Sequence, residues 1–245
     1  MTDENQKPER IAKRMARAGV CSRRDAERLI AEGRVKLNGE ILASPAQNVT
    51  EADVIELDGV AIGKKEKTRL WRYHKPKGLV TTHRDEKGRD TIFDHLPEDL
   101  PRVISVGRLD LTSEGLILLT NNGELARHLE LPQTGWTRKY RVRAFGDMTD
   151  EIIEALKRGV TVDGVSYGSI AAKLESESGD NVWMEMILTE GKNREIRKVL
   201  DYLGLTVNRL IRTSYGPFHL GKLDDGVVEE VTQNAIKEAL GGKFI

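Results

Sequence analysis

Short apolar stretches with a changing period fill the first sixty positions of the chain. Apolar residues four positions apart predict a helix over residues 10–18, and a second helix is expected to follow Ser22, because Ser-x-x-Asp is typical of an amino-terminal cap. Alternating apolar residues then predict strands over residues 35–41 and 53–57. These elements predict an α/β unit of about 50 residues, whose small core is more typical of a binding module than of an enzyme.

The remainder of the chain, from about residue 69, alternates strand-like runs with shorter helices. Strands are predicted over residues 70–74, 79–82, 103–106, 116–120, 139–145, 182–188 and 206–212. Helices are predicted over residues 124–129, 149–158 and 193–203. The pattern predicts an α+β fold, with a mixed or largely antiparallel central sheet flanked by helices.

A polar, charged stretch separates these two parts of the chain. Residues 63–68 read GKKEKT, which is a composition typical of a linker. We therefore predict a first domain over residues 8–60, a linker over residues 61–68 and a larger second domain over residues 69–240. The second domain is long enough to bury a sizeable core.

Composition excludes several classes of protein. The 245 residues include 39 basic and 39 acidic side chains and 38% hydrophobic residues, which is typical of a folded globular protein. No apolar run reaches the roughly 18 residues that span a bilayer, and the polar first ten residues do not resemble a secretory signal. The lone Cys21 excludes an internal disulfide and fits a reducing compartment. We therefore expect a cytoplasmic protein without membrane association.

The net charge is zero, but the charges are segregated along the chain. Residues 10–36 carry nine basic and three acidic side chains, residues 134–143 carry four basic and no acidic ones, and residues 191–212 carry six basic and two acidic ones. These segments predict one positive surface if the fold brings them together, and three separate solvated faces if it does not. Charge alone does not decide between the two.

Most common catalytic patterns are missing from the sequence. The histidines lack the spacing of a zinc site and there is no phosphate-binding glycine loop, so neither a metal nor a nucleotide cofactor is expected. Residues 164–168 match the Gly-x-Ser-x-Gly pattern of hydrolases, with Asp180 and His219 following in hydrolase order. That pattern requires a buried strand before the serine, whereas Asp163-Gly164 is a hairpin-turn signal, so a hydrolase is disfavoured.

A carboxylate lies between two glycine-bounded apolar runs in residues 106–120, which read VGRLDLTSEGLILLT. Aspartate is disfavoured inside strands, so Asp110 is expected in the loop that joins the predicted strands over residues 103–106 and 116–120. On this pattern alone, Asp110 is either a catalytic group or an ordinary turn residue whose side chain binds backbone amides, and the second case is the commoner one.

Together with motifs elsewhere in the chain, this stretch resembles bacterial ribosomal-RNA pseudouridine synthases of the RsuA-like family. Residues 10–57 resemble the S4-type RNA-binding domain that precedes the catalytic domain in this family, so the resemblance covers nearly the whole chain. The motifs, in the family's order, are Lys75-Pro76-Lys77-Gly78, Gly107-Arg108-Leu109-Asp110 with residues 115–120 behind it, Lys139-Tyr140, Gly191-Lys192-Asn193-Arg194-Glu195-Ile196-Arg197, and the closing Gly216-Pro217 with Leu220-Gly221.

The resemblance implies a reaction and the residues that perform it. Members of the family break the N1–C1′ bond of a uridine, turn the base and rejoin it through C5, without a cofactor. Asp110 would be the catalytic carboxylate, Tyr140 the ring that stacks on the target base, and Arg197 the cation whose pairing with Asp110 favours the ionised carboxylate. Ile196 would form part of the apolar wall against the base, and Arg108 would brace the stack from which the uridine is everted.

RNA contacts are expected from all three positive segments. In the amino-terminal module they would be Arg10, Arg14, Arg17, Arg23, Arg24 and Arg28. In the catalytic domain, the resemblance assigns substrate binding to Lys139, Lys192 and Arg194, and further phosphate contacts to Arg138, Arg141, Arg143 and Lys198. Two of these assignments have an alternative without a functional role. Tyr140 could be an ordinary core residue, and Arg197 could be a solvated residue of its helix.

We therefore expect an enzyme that converts a specific uridine of 23S ribosomal RNA to pseudouridine. Two alternatives stay open: the same reaction on 16S RNA, and a non-catalytic RNA-binding or ribosome-assembly protein that relies on the S4-like module. Arg194-Glu195 replaces the His-Gln frequent in the third motif and Ser113 replaces the usual Thr, which leaves the position of the target uridine open. The expected partner is ribosomal RNA or an assembly intermediate, bound by a monomer.

Overall fold

The computed structural model of the chain describes residues 8–63, 66–242 and 244. Within those residues the helices are α1 (Ile11–Arg17), α2 (Arg23–Ala31), α3 (Gly123–Glu130), α4 (Asp150–Arg158), α5 (Glu195–Tyr202) and α6 (Gln233–Leu240). The strands are β1 (Glu9–Arg10), β2 (Val35–Leu37), β3 (Glu40–Ile41), β4 (Asn48–Val49), β5 (Ile55–Leu57), β6 (Val60–Ala61), β7 (Leu70–Lys75), β8 (Ile104–Val106), β9 (Glu114–Thr120), β10 (Arg138–Phe145), β11 (Val160–Val162), β12 (Val165–Tyr167), β13 (Ala171–Ser178), β14 (Asn181–Leu188), β15 (Thr206–Tyr215), β16 (Phe218–His219) and β17 (Val228–Glu230). None of the helices in this described part is long and apolar enough to cross a membrane.

The amino-terminal module packs α1 and α2 with a four-stranded antiparallel sheet in the order β3-β2-β5-β6. Ser22 caps α2 as predicted, because its hydroxyl accepts a hydrogen bond from the Asp25 amide at 3.0 Å. Ile11, Met15 and Ile30 lie at the centre of a buried cluster formed by residues of this module. The apolar stripes read from the sequence therefore do meet in a small core of their own.

The larger part of the chain folds around a nine-stranded sheet. Its strands follow the order β13-β14-β10-β15-β9-β7-β17, with β16 paired to β15 and β8 paired to β9. Neighbouring strands run antiparallel, except that β15 and β9 are parallel. The mixed sheet with flanking helices agrees with the predicted fold class.

Alternation of side chains along β9 assigns its two faces to different cores. Leu116 and Leu118 pack with residues of α3 and α6, whereas Ile117 and Leu119 pack with apolar residues of the segment 79–109. In the other half of the sheet, α4 packs on β13 and α5 packs on β15. The loop between β8 and β9 therefore emerges near the middle of the sheet, beside β15.

Strands β9 and β15 approach each other most closely where Gly115 faces Arg212. Gly115 has φ +101°, and a Cβ atom at this position would lie 2.3 Å from the carbonyl oxygen of Arg212. Such a contact excludes any side chain, so only glycine lets the start of β9 lie against β15. This contact holds the end of the Asp110 loop against the central strand.

Gly115→Ala is expected to lower the free energy of unfolding by about 2–4 kcal/mol, because the added methyl group must displace backbone in the middle of the sheet. Gly226→Ala is the matched control, since Gly226 also has a positive φ of +79° but no atom within 4 Å of its Cβ position. The control should lose only about 1 kcal/mol. Urea denaturation measures both, and equal losses would show that the contact with Arg212 is not limiting.

The strand predicted over residues 79–82 is wrong. Val80 forms only an isolated bridge with Thr91, and the Thr81 hydroxyl donates a hydrogen bond to the Leu109 carbonyl at 3.0 Å. Leu79 is buried in the core cluster beneath the Asp110 loop. The apolar run at residues 79–82 therefore fills space under that loop and does not extend a ladder of strands.

Strand β13 and helix α6 are among the elements that the sequence did not predict, because both carry weak signals. Strand β13 lies at the edge of the sheet and most of its residues are exposed. Only Ala172 and Leu174 pack against the core, so its apolar face is short. Helix α6 buries Ile236 and is capped by Thr232, whose hydroxyl accepts a hydrogen bond from the Ala235 amide. It covers a face of the sheet whose strands come from earlier in the chain.

The hydrolase alternative finds no support in the fold. Ser166 is exposed in β12, which forms a two-stranded hairpin with β11, and its hydroxyl lies 3.1 Å from that of Thr161. Asp163 and Gly164 form the turn of this hairpin, with φ of 49° and 76°. A nucleophilic serine requires a buried strand followed by a helix, and neither flanks Ser166.

Candidate active site

Asp110 lies on the loop that joins β8 to β9, and this loop is fixed by its own backbone. The Leu109 amide donates to the Thr81 hydroxyl at 3.3 Å, the Gly78 amide donates to the Leu111 carbonyl at 2.9 Å, and the Ser113 amide donates to the Asp110 carbonyl at 3.0 Å. Leu109 is buried, so the chain is anchored immediately before Asp110. The loop therefore holds Asp110 in a defined position.

The side chain of Asp110 is not used as a turn cap. Among the described residues, no backbone amide donates a hydrogen bond to its carboxylate, which is the bond that the ordinary turn interpretation requires. The carboxylate is 30% exposed and lines a cleft of about 1620 Å³. Asp110 is therefore placed to react with a bound molecule.

A buried ammonium group supports the loop from below. Lys75 closes β7, is fully buried, and donates from Nζ to the carbonyls of Ser113 at 2.8 Å and Pro76 at 2.9 Å. Burial lowers the pKa of Lys75 to about 8, and the nearby charges of Asp110 and Glu114 partly offset that shift. The motif that contains Lys75 did not predict this supporting role; the signal available in the sequence was a lysine that ends an apolar strand next to proline.

Tyr140 and Ile196 form the apolar part of the same cleft. Tyr140 lies on β10 between Met186 of β14 and Arg212 of β15, and its side chain is half-buried against the cores of both halves of the sheet. Ile196 is buried at the start of α5 and lines the cleft. The structure thus brings Asp110, Tyr140 and Ile196 to one place, as the sequence motifs predicted.

The other basic residues of β10 do not accompany Tyr140 into the cleft. Side chains alternate along a strand, so Lys139, Arg141 and Arg143 point to the opposite face. On that face Lys139 pairs with Glu185 at 3.0 Å and Arg141 pairs with Glu175 at 2.7 Å. Lys139 therefore does not line the cleft, which disfavours its predicted contact with the substrate.

Arg138 is the basic residue of β10 that does share the face of Tyr140. Its guanidinium donates to the Thr189 carbonyl at 2.6 Å and to the Tyr215 hydroxyl at 3.1 Å, and it lines the cleft. It is thus held by neutral acceptors. Its positive charge remains available to a ligand.

The cation paired with Asp110 is Arg194 and not Arg197. Arg194 lies just before α5, and its Nη1 atom is 3.7 Å from Oδ2 of Asp110. Arg197 instead donates to the Val207 carbonyl at 3.0 Å and to the Thr112 carbonyl at 3.1 Å. The predicted direct pair between Asp110 and Arg197 is therefore not made, and Arg197 joins β15 to the Asp110 loop through the backbone.

Arg197 nevertheless remains electrostatically connected to Asp110. Burial lowers the pKa of Arg197, the neighbouring charge of Arg194 lowers it further, and the charge of Asp110 opposes both. Arg194 and Arg197 therefore place two positive charges on one side of the Asp110 carboxylate. Lys75 adds a third from beneath the loop.

A small carboxylate cluster closes the wall beside α5. Glu195 is buried and accepts a hydrogen bond from the Lys192 amide at 2.9 Å, and burial raises the pKa of Glu195 to about 6. The Lys192 ammonium binds the Glu190 carboxylate and donates to the Ser166 carbonyl at 2.9 Å. Lys192 lines the cleft as predicted, but its charge is already neutralised by Glu190.

Two further arginines, Arg212 and Arg108, line the cleft. The sequence predicted a role for Arg108 but not for Arg212. Arg212 is 3% exposed, donates from Nε to the Leu116 carbonyl at 2.7 Å, and lies 5.2 Å from the ring centroid of Tyr215. Arg108 is exposed and lines the cleft beside Asp110, as predicted. Within the described residues neither has a carboxylate partner, so both add to the positive field of the cleft.

The predicted RNA contacts of the amino-terminal module divide into two groups. Arg23 and Arg24 are exposed at the start of α2, and Arg24 reaches the cleft. Three of the other four are engaged within the protein: Arg10 donates to the Ala46 carbonyl, Arg17 pairs with Glu124 at 3.5 Å, and Arg28 pairs with Glu32 at 2.7 Å. Arg14 is 7% exposed, and its Nε and Nη1 atoms are buried without a hydrogen-bond partner among the described residues.

The face of α1 that carries Arg14 and Arg17 turns inward, which disfavours their predicted contacts with RNA. Arg14 is buried, and Arg17 pairs with Glu124 at the start of α3 in the larger part of the chain. A shared helical face can be read from spacing alone, but the sequence does not say what that face meets. Arg17 thus contributes to the contact between the two parts of the protein.

Comparisons with known proteins identify the family of the chain. A family model described as RNA pseudouridylate synthase matches residues 69–202, and the S4 domain model matches residues 9–55. A protein of Rickettsia felis that is named an uncharacterized RNA pseudouridine synthase is 47% identical over 230 residues, which cover 94% of this chain and 100% of that protein.

Two further relatives extend the comparison. Ribosomal large subunit pseudouridine synthase B of Pseudomonas aeruginosa is 43% identical over 235 residues, covering 93% of this chain and 61% of the relative. A crystal structure of a pseudouridylate synthase superimposes with a TM-score of 0.65 at 25% identity, covering 92% of this chain and 97% of that one.

Fold and site thus define an enzyme that modifies RNA. The chain belongs to the RNA pseudouridylate synthase family, in the RsuA-like branch that the motifs indicated, and carries an S4 RNA-binding domain at its amino terminus.

Proposed function

We propose that the protein converts one uridine of 23S ribosomal RNA to pseudouridine, with Asp110 as the catalytic carboxylate. The observation that carries this proposal is the position of Asp110: its loop is bonded through the backbone, while its carboxylate faces a cleft shared with Tyr140 and Ile196. The target molecule is inferred from a relative that acts on the large ribosomal subunit.

The residues of the cleft match the steps of the reaction. The N1–C1′ bond of uridine breaks, C5 bonds to C1′, C5 loses its proton and N1 gains one, so atoms balance without a cofactor. A carboxylate serves this sequence by adding to C1′ or by removing a proton from the sugar, and by stabilising positive charge at C1′. Asp110 supplies that group. Tyr140 stacks on the base and relays the C5 proton, and Ile196 excludes water from the ring.

A uridine inside structured RNA must leave its stack before it reaches Asp110. Eversion of a base costs a few kcal/mol, which the enzyme offsets with contacts that only the everted state makes. Arg108 is exposed on the Asp110 loop and is placed to occupy the vacated stack. Arg138, Arg194 and Arg212 supply positive charge in the cleft where phosphates and the uracil carbonyls come to lie.

The S4 domain gives the enzyme a second hold on the same RNA. We assign residues 8–60 to this domain, residues 61–68 to a linker and residues 69–240 to the catalytic domain. Arg23 and Arg24 carry the exposed charge of α2, and Arg24 faces the cleft that contains Asp110. Binding through both domains raises the effective concentration of the target at the catalytic loop. We place this reaction in the cytoplasm, on ribosomal RNA or an assembly intermediate, with one copy of the chain.

Mapping pseudouridines in ribosomal RNA from cells that lack the protein tests the function. One 23S position is expected to revert to uridine, while all 16S positions stay modified. Complementation with the wild-type gene should restore the position, and complementation with Asp110→Asn should not. A missing 16S pseudouridine would move the substrate to the small subunit, and unchanged maps of both RNAs would contradict the proposed function.

A further inference from the structure

An aromatic pair lines the same cleft as Asp110. The rings of His83 and Phe93 are stacked, with centroids 3.5 Å apart and an angle of 17° between their planes. Phe93 is partly buried against the core that includes Ile92. The short 3-10 helix that carries Phe93, Ile92–His95, is capped by Thr91 and Asp94, each binding the backbone of the other. The position of the Phe93 ring is therefore fixed, and the imidazole of His83 stacks on it.

His83 is exposed and lines the same cleft as Asp110. Burial of one side of the ring lowers the pKa of His83, and the charge of Arg102 lowers it further, so the imidazole is uncharged at neutral pH. The position of His83 is tied to the catalytic loop, because Thr81, two residues earlier, exchanges hydrogen bonds with the backbone of Leu109. A flat, neutral ring is thus held at a fixed distance from the Asp110 loop.

Three arginines line the cleft together with His83. Arg84, Arg102 and Arg24 line this part of the cleft, and none of the three has a carboxylate partner among the described residues. Arg89, only a few residues away, is by comparison bound at 2.7 Å to Asp85, whose carboxylate also organises the loop through the amides of Lys87 and Arg89. The loop therefore neutralises Arg89 and leaves Arg84 without an ion pair among the described residues.

We propose that His83 is a stacking platform for an unpaired base of the substrate RNA, and that Arg84 and Arg102 bind the phosphates on either side of that nucleotide. The inference deepens the proposed function, because it adds a second nucleotide site to the cleft that receives the target uridine. Aromatic rings flanked by free cations are the recurring means of holding single-stranded RNA without reading its sequence. The ligand is thus a nucleotide displaced from the helix near the target.

A simpler role for His83 would be to shield Phe93 from water. Shielding would make His83 important for stability and irrelevant to RNA, whereas stacking makes it important for RNA and nearly neutral for stability. The two roles are separated by measuring melting temperature and RNA affinity on the same variants. His95→Ala is the matched control, because His95 lies on the same 3-10 helix and is 50% exposed but is outside the cleft.

The affinity is measured in the Asp110→Asn background, so that no conversion occurs during the experiment. The probes are unmodified transcripts of 23S and 16S ribosomal RNA, and each variant is compared on the transcript that the parent binds more tightly. His83→Ala is expected to weaken binding by about fivefold or more, and His83→Phe, which keeps a ring, to stay within about twofold of the parent. Both variants and His95→Ala should melt near the parent temperature.

Salt dependence separates the base contact from the phosphate contacts. His83→Ala should leave the slope of log affinity against log salt unchanged, because no phosphate contact is lost. Arg102→Gln and Arg84→Gln should each reduce the slope by about 0.7, the value of one contact to a single strand. Lys237→Gln, an exposed change on α6 outside the cleft, should leave both affinity and slope unaltered.

Parent-like RNA affinity of His83→Ala, with or without a lower melting temperature, would overturn the platform. Equal weakening by His83→Ala and His83→Phe would overturn it as well, because a ring would then not be what the RNA requires. The experiment reads binding alone. A failure of the wild-type enzyme to convert uridine would therefore contradict the proposed function and leave the result at His83 interpretable.

Discussion

Asp110→Asn is expected to abolish conversion of uridine while leaving RNA affinity and stability close to those of the wild type. The substitution keeps the size of the side chain but removes the negative charge, so the residue can no longer attack C1′, accept a proton or stabilise positive charge. Loss of such a group lowers the rate by at least about 1000-fold. The backbone bonds of the loop, at Leu109, Leu111 and Ser113, do not involve the carboxylate and should persist.

Release of tritium from 5-tritiated uridine in ribosomal RNA measures the rate, and filter binding measures affinity. Asp90→Asn is the matched control, because Asp90 is 75% exposed and carries a single ion pair, to His95 at 3.6 Å, outside the cleft. The control should convert uridine at the wild-type rate. Conversion by Asp110→Asn at the rate of the control would remove Asp110 from the reaction.

The position of Asp110 was predictable because local rules determine it. Aspartate is poor in strands, glycines bound both apolar runs, and the loop between β8 and β9 follows directly. The cap at Ser22 and the hairpin turn at Asp163-Gly164 were predictable for the same reason, since side-chain and backbone preferences act over a few residues. Such local features can be read from the sequence because all the residues that determine them are neighbours along the chain.

The partners of the arginines were not predictable in this way. Arg197 binds two backbone carbonyls, and carbonyl acceptors exist at every position, so no residue type marks them. Arg84, Arg102 and Arg24 converge on one cleft from separate parts of the chain, and only the fold brings them together. The orientation of β10 is a different case. Side chains alternate between the two faces of a strand, so the sequence alone places Lys139 and Tyr140 on opposite faces of β10. The family motif, which contains both residues, suggested instead that they act together.

The backbone contacts of Arg197, which replace its predicted pair with Asp110, lead to a second prediction. Arg197→Ala is expected to lower the rate of conversion by about 100-fold and the free energy of unfolding by about 1–3 kcal/mol, because the carbonyls of Thr112 and Val207 lose a charged donor in a half-buried place. Thr112 lies two residues from Asp110, so the catalytic loop would loosen. Arg197→Lys should remain impaired, because the two carbonyls are bound by two different guanidinium nitrogens, whereas lysine offers a single nitrogen on a shorter side chain.

Arg194→Ala distinguishes positioning of the loop by Arg197 from direct contact of a guanidinium with Asp110. Arg194 is the residue whose guanidinium lies 3.7 Å from Asp110, but its side chain is 46% exposed, and an exposed pair adds less than about 1 kcal/mol to stability. We expect its loss to lower the rate by about tenfold or less and to leave the melting temperature nearly unchanged. If positioning by Arg197 is what matters, its variant must fail in both rate and stability. A stable, active Arg197→Ala beside an inactive Arg194→Ala would instead show that the contact between guanidinium and carboxylate is the one that catalysis requires.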